Sequence, residues 1–146
     1  MGSNDHRAQW RIDQERDEAQ RPRLVLAEDD EDMRKLLVAA LRRDGYDVVE
    51  VPDGTQLVNC LTSHRLGEHA GQPINLVISD LRMPGCSGLD VLAGLRFRNG
   101  STPFILMTAF GDSQTNQEAR RLGAAAVFNK PFDVDDLRTI VCNLVS

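Results

Sequence analysis

The chain has 146 residues, 41% of them hydrophobic, and a formal net charge of −5, which suits one domain with a workable core and leaves no room for a second. The acidic balance argues against nucleic-acid binding by this chain, which needs a clustered positive surface. No apolar run approaches a membrane span and no signal-peptide core is present, so a cytoplasmic protein with no membrane partner is expected.

Residues 1–22 are polar, carry both charge signs and hold one isolated aromatic, Trp10, so they read as an N-terminal tail or a loose helix. The organised chain is expected over 23–146. Arg23-Leu24-Val25-Leu26-Ala27 is a short, nearly continuous apolar run, the pattern of a strand covered by helices on both faces. It runs into Glu28-Asp29-Asp30-Glu31-Asp32. Met33, Leu36, Leu37, Ala40 and Leu41 then recur at helical spacing, and Gly45 supplies the stop.

Asp47 to Val51 predicts a second strand, and the Pro52-Asp53-Gly54 turn opens a second helix through Leu57, Val58 and Leu61. A long polar connection from Ser63 to Pro73 holds His64 and His69, which have no cysteine or acid at ligand spacing and receive no role. Leu76-Val77-Ile78-Ser79-Asp80 is the third strand, ending in a carboxylate where the chain turns away through Leu81 to Gly88. Ser87 and Asp90 form a capping-box pattern for a third helix.

Pro103 to Thr108 predicts a fourth strand with a hydroxyl at its end, followed by a polar helix that Asp112 caps and Gly123 closes. Ala124 to Lys130 predicts a fifth strand with a cation at its end, and Leu137, Ile140, Val141 and Leu144 line a last helix. Strict alternation of strand and helix implies an α/β fold, a (βα)5 parallel sheet doubly wound by right-handed crossovers. Cys60, Cys86 and Cys142 lie far apart without metal-like spacing and read as free thiols.

In such a sheet chemistry collects at the carboxyl ends of the strands. Those ends here carry Glu28 and Asp29, Asp80, Thr108 and Lys130. Like charges about 4 Å apart cost about 4 kcal/mol per pair at an effective dielectric near 20, a large share of a domain stability of roughly 5–15 kcal/mol. A divalent cation relieves that cost, and oxygen-only ligands select a hard ion, with Mg2+ expected. Asp80 can then act as a nucleophile toward a phosphoryl group, with Thr108 donating a hydrogen bond and Lys130 supplying a point charge.

Glu28-Asp29, the run Asp80-Leu81-Arg82-Met83-Pro84 with Gly88, Thr108-Ala109, and Lys130-Pro131-Phe132 together resemble the receiver domain of bacterial two-component response regulators. The resemblance covers roughly Leu24 to Val145. It implies a flavodoxin-like strand order 2-1-3-4-5 and a phosphorylation-dependent switch rather than an enzyme with a separate substrate. Asp80 would accept a phosphoryl group from a histidine kinase's phosphohistidine and lose it by hydrolysis, both steps catalysed by the domain itself.

Mg2+ would be held by Glu28, Asp29, Asp80 and the backbone carbonyl of Arg82, and Lys130-Pro131 would be cis. The implied partners are a sensor histidine kinase or phosphotransfer protein, and an effector domain or second copy meeting the face of the fourth helix, fifth strand and last helix. Arg120, Arg121 and Arg138 are exposed candidates on that face. The family usually carries Tyr or Phe three residues before the lysine, whereas this chain has Val127 there and Phe128 beside it. Coupling is therefore expected to run through Thr108 and the loop from Ala109 to Asp112, with Arg82 and Phe110 tuning the access of water. The rival readings are a docking module that is not phosphorylated and an aspartate-nucleophile phosphohydrolase. The second lacks the Asp that family places two residues after its nucleophile.

Overall fold

The computed structural model describes residues 21–66, 73–98, 100–109 and 113–145, apart from the side chains of residues 65 and 66. The tail with Trp10, the loop residue His69, Phe110 and the expected Asp112 cap lie outside the described residues. The elements are β1 (Arg23–Ala27), α1 (Glu31–Arg43), β2 (Asp47–Val51), α2 (Gly54–Leu66), β3 (Leu76–Asp80), α3 (Gly88–Phe97), β4 (Phe104–Thr108), α4 (Ser113–Arg121), β5 (Ala126–Asn129) and α5 (Val134–Val145). The strands pair in parallel in the order β2-β1-β3-β4-β5. No described helix is long and apolar enough to cross a membrane.

Alternation along each strand builds two cores, because successive side chains leave a strand on opposite faces. Leu24, Leu26, Ile78, Ile105 and Met107 pack with Leu37 and Leu41 of α1 and Leu137 and Val141 of α5. Val25, Ala27, Val77, Phe104 and Leu106 face the other way, against Leu57 of α2, Val91 and Leu92 of α3, and Ala119 of α4. β3 and β4 are buried along their whole length, hence their unbroken apolar runs. Burying each such Leu, Ile or Phe contributes roughly 1.5–3 kcal/mol.

Helix starts follow the side chains that the sequence puts before them. Asp30 accepts the Met33 amide at 2.9 Å, Asp53 the Gln56 amide at 2.8 Å, and Ser87 the Asp90 amide at 3.1 Å, each satisfying one of the orphan donors of a first turn. Gly45 and Gly123 take φ of +97° and +83°, the left-handed conformation that a β-carbon disfavours.

Three boundaries differ from the expectation. β4 begins at Phe104 rather than Pro103, since proline has no amide to give the ladder, although the Pro103 carbonyl still accepts the Val77 amide at 3.0 Å. β5 begins at Ala126 rather than Ala124, because the Ala124 amide is engaged by the Ala119 carbonyl of α4 at 2.9 Å. α2 runs on to Leu66, so His64 is a helical residue rather than a loop residue, with Nδ1 2.9 Å from the Cys60 carbonyl one turn back.

Candidate functional site

Register brings the chemistry together. Ala27 lies opposite Ser79, so the next residue on each strand, Glu28 and Asp80, emerges at the same level of the sheet. Thr108 lies opposite Asn129, which puts Lys130 one step past the end of β5. Three carboxylate oxygens, one each from Glu28, Asp29 and Asp80, lie within 4.8 Å of one another. Lys130 reaches across from the far side of the sheet, with Nζ 2.6 Å from Glu28 Oε1 and 3.1 Å from Asp80 Oδ2. Its peptide bond to Pro131 is cis.

Glu28 is fully buried and Asp80 nearly so, whereas Asp29 is exposed. Thr108 is buried at the end of β4, and its carbonyl accepts the Lys130 amide at 2.7 Å. Arg82 lies in the turn directly after Asp80 with its side chain exposed.

The backbone around the cluster is firmly held. Arg34 Nη1 donates to the Glu28 carbonyl at 2.8 Å, and the Glu28 amide donates to Val51 at 3.2 Å. The Ser79 hydroxyl donates to the Asp80 carbonyl at 3.0 Å, and the Leu81 amide to Met107 at 2.7 Å. Arg34 and Ser79 are supports that sequence reasoning did not single out. An arginine in a first helical turn and a serine before a strand-end acid are too ordinary to signal a role.

The electrostatics are divided. Burial, reinforced by the neighbouring Asp80 carboxyl and opposed by Lys130, pushes the Glu28 carboxyl up to about 7. Burial also works against the charged form of Lys130, but its hydrogen bonds to Glu28 and Asp80 outweigh that and hold the ammonium above the usual lysine value. One cation therefore serves two buried acids, and Glu28 Oε2 is left buried without a hydrogen-bond partner among the described residues. A buried carboxylate oxygen in that state is costly. The oxygen-only donor set around it fits a hard divalent cation such as Mg2+.

On the remaining candidates the arrangement is mixed. Val127 belongs to the core on the α2, α3 and α4 side, while Phe128 belongs to the core on the α1 and α5 side, its ring centroid 5.3 Å from that of Phe132. Of the three arginines expected on the fourth-helix face, Arg121 pairs with Glu118, and Arg138 with Asp44 at 2.7 Å and Asp135 at 2.8 Å. Arg120 is exposed. Cys60, Cys86 and Cys142 form no disulfide among the described residues.

A family model described as the response regulator receiver domain matches residues 24–142. Among curated proteins, the chain is 29% identical over 119 residues to sporulation initiation phosphotransferase F of Bacillus subtilis (strain 168), an alignment covering 82% of this chain and 90% of the relative. It is 32% identical over 121 residues to the regulatory protein AtoC of Escherichia coli (strain K12), covering 82% of this chain and 24% of the relative. The chain likewise spans only about a third to a half of several other curated relatives, 35% of one and 52% of another. Among solved structures, a Francisella response regulator 1452 receiver domain superposes with a TM-score of 0.75 at 23% identity, over 85% of this chain and 96% of that one. The response regulator TrrA of Thermotoga maritima, in complex with Mg2+ and BeF, superposes with a TM-score of 0.70 at 27% identity, over 84% of this chain and 98% of that one.

Proposed function

Because the chain belongs to the response regulator receiver domain family, we propose that it is a phosphorylation-dependent switch in which Asp80 is the phosphoryl acceptor. The observation that carries this reading is the convergence of Glu28, Asp29, Asp80 and Lys130, drawn from three strands, on a spot where a buried carboxylate oxygen has no hydrogen-bond partner among the described residues. Mg2+ bound by Glu28, Asp29, Asp80 and the Arg82 carbonyl would neutralise charge on both the acid and the incoming phosphoryl group. The TrrA complex with Mg2+ and BeF supports that assignment.

In the transfer, an Asp80 carboxylate oxygen attacks the phosphorus of a phosphohistidine. The P–N bond breaks, and its electron pair leaves with the histidine nitrogen, which then takes up a proton. Lys130 is already within hydrogen-bond distance of Asp80 and would turn one N–H toward a phosphoryl oxygen. Thr108 would donate its hydroxyl to another. In the reverse half of the cycle water attacks phosphorus, the bond to the Asp80 oxygen breaks, and the carboxylate and inorganic phosphate are released.

The new dianion must alter a surface to carry a signal. With Val127 where a ring would otherwise stand, coupling runs through Thr108 and the segment after it toward the face of α4, β5 and α5. The partners are then a histidine kinase or phosphotransfer protein at the site, and an effector or second copy at that face. The acceptor reading is tested by incubating the chain with acetyl phosphate and Mg2+ and measuring intact mass. One phosphoryl group is expected on the wild type and none on Asp80→Asn. An unlabelled wild type, or equal labelling of Asp80→Asn, overturns the assignment. Sustained release of phosphate from simple esters without labelling of the chain would instead mark a phosphohydrolase.

A further inference from the structure

The loop from Leu81 to Ser87, which follows the acceptor, meets the start of α2 backbone to backbone. Gly54, the first residue of α2, donates its amide to the Pro84 carbonyl at 2.9 Å. A β-carbon on Gly54 would stand 1.9 Å from the Cys86 carbonyl oxygen and 2.7 Å from the Cys86 carbonyl carbon and nitrogen. On the opposing strand of the contact, a β-carbon on Gly85 would stand 2.2 Å from Thr55 Oγ1 and 2.9 Å from the Thr55 nitrogen. Gly54 in particular is opposed by backbone atoms, so no change of rotamer makes room; the loop itself must shift.

The same loop is fixed at its two ends. The Leu81 amide donates to Met107 at 2.7 Å, and the Gly88 amide donates back to the Leu81 carbonyl at 2.9 Å. A β-carbon on Gly88 would stand 2.4 Å from the Asp80 carbonyl oxygen. The loop is thus a strap anchored at both ends and clasped in its middle at Pro84 to Cys86. Arg82 lies between the first anchor and the clasp.

We propose that Gly54 is a positioning residue for the cation site: through the clasp on Pro84–Cys86 it sets where the Arg82 segment stands relative to Asp80. The inference rests on the function proposed above and adds to it. It makes the turn after β2, which brings no charged group to the cluster, part of the frame that shapes the site. A ligand set needs its members held close to the productive geometry, and outer supports of this kind commonly change metal affinity by roughly 10–100-fold when altered.

The test measures Mg2+ affinity of the full chain from the Mg2+ dependence of Tm. Gly54→Ala is expected to weaken Mg2+ binding at least about tenfold. Gly94→Ala, where a β-carbon meets none of the described residues within 4 Å, is expected to leave it within about twofold. A Gly54→Ala protein with a lowered Tm but wild-type Mg2+ affinity overturns the inference, since that is what a purely structural glycine would show.

If Gly54→Ala does not fold, hydrogen exchange on the wild type decides. Saturating Mg2+ is expected to slow exchange of the Gly54 amide severalfold relative to that of Asp47, which bonds Pro22 at the other end of the sheet. Equal effects on the two amides overturn the inference. A wild type that shows no Mg2+ stabilisation removes the cation site itself. Wild-type binding matched by Gly54→Ala removes only the role of Gly54.

Discussion

Replacing Glu28 with glutamine keeps the shape of a fully buried side chain and removes its titration. In the metal-free protein the Glu28 carboxyl is displaced from 4.5 to about 7, with burial the largest cause. At 1.36 kcal/mol per pH unit this corresponds to between about 2 and 4 kcal/mol. The native state holds a proton that the unfolded chain gives up between those values. Glu28 therefore supports folding below about pH 4.5, and that support is lost as pH rises through about 7. Glutamine has no proton to lose, so Glu28→Gln should gain on the wild type as pH rises.

Thermal melts in EDTA from about pH 5 to 8, a window that holds about 2–3 kcal/mol of that total, should widen the gap in favour of Glu28→Gln by roughly 6–15 °C, taking about 3–5 °C per kcal/mol for a domain of this size. Added Mg2+ should narrow that gap. At tenfold over its Kd, a ligand that binds only the folded state adds about 1.4 kcal/mol, and the wild type, with all three carboxylates, should gain more than the variant. A gap that stays constant with pH in EDTA would refute the buried-charge argument. A wild-type melt indifferent to Mg2+ would refute the cation site.

Lys130→Met leaves Glu28 and Asp80 without their shared cation and should cost about 2–4 kcal/mol at pH 8 in EDTA by denaturant melts, with a smaller loss at pH 5 where Glu28 is protonated. An equal loss at both pH values would count against the pairing. Arg96 donates to the carbonyls of Gly100, Thr102, Leu122 and Gly123 at 2.9–3.2 Å, tying the ends of α3 and α4 together. Arg96→Ala should cost about 2–3 kcal/mol, with Arg96→Lys recovering less than half because a single ammonium cannot serve four acceptors. Full recovery by lysine would show that charge, not the fork, matters. The Arg138 guanidinium holds the Asp44 carboxyl below its ordinary value, so its contribution is complete above about pH 4 and is lost as pH falls through the lowered value. Asp44→Asn should therefore lower Tm at pH 7, with the difference shrinking as pH falls below about 4; a Tm difference that does not change with pH would contradict the pairing.

Much of the fold could be read along the chain because it is written in local periodicity. The apolar runs at Leu24–Ala27, Leu76–Ile78 and Phe104–Met107 became buried strands, and the acids and hydroxyls at Asp30, Asp53 and Ser87 became helix caps. The misplaced boundaries fell where a neighbour competed for a backbone group: the Ala124 amide went to α4, and His64 turned toward a carbonyl one helical turn away. The chemical types at the strand ends could also be read, since a carboxylate, a hydroxyl and an ammonium each close an apolar run.

What the linear order determined, then, is the set of elements and the groups they carry to the rim of the sheet. Only the tertiary structure decided that Lys130 divides itself between Glu28 and Asp80, that Glu28 keeps an orphaned oxygen, and that Gly54 lies under the backbone of Cys86. Those facts depend on the pairing of residues 32 to 102 positions apart. Such contacts are fixed by strand register and by which crossover lands on which face, and they leave no periodic trace in the neighbouring sequence.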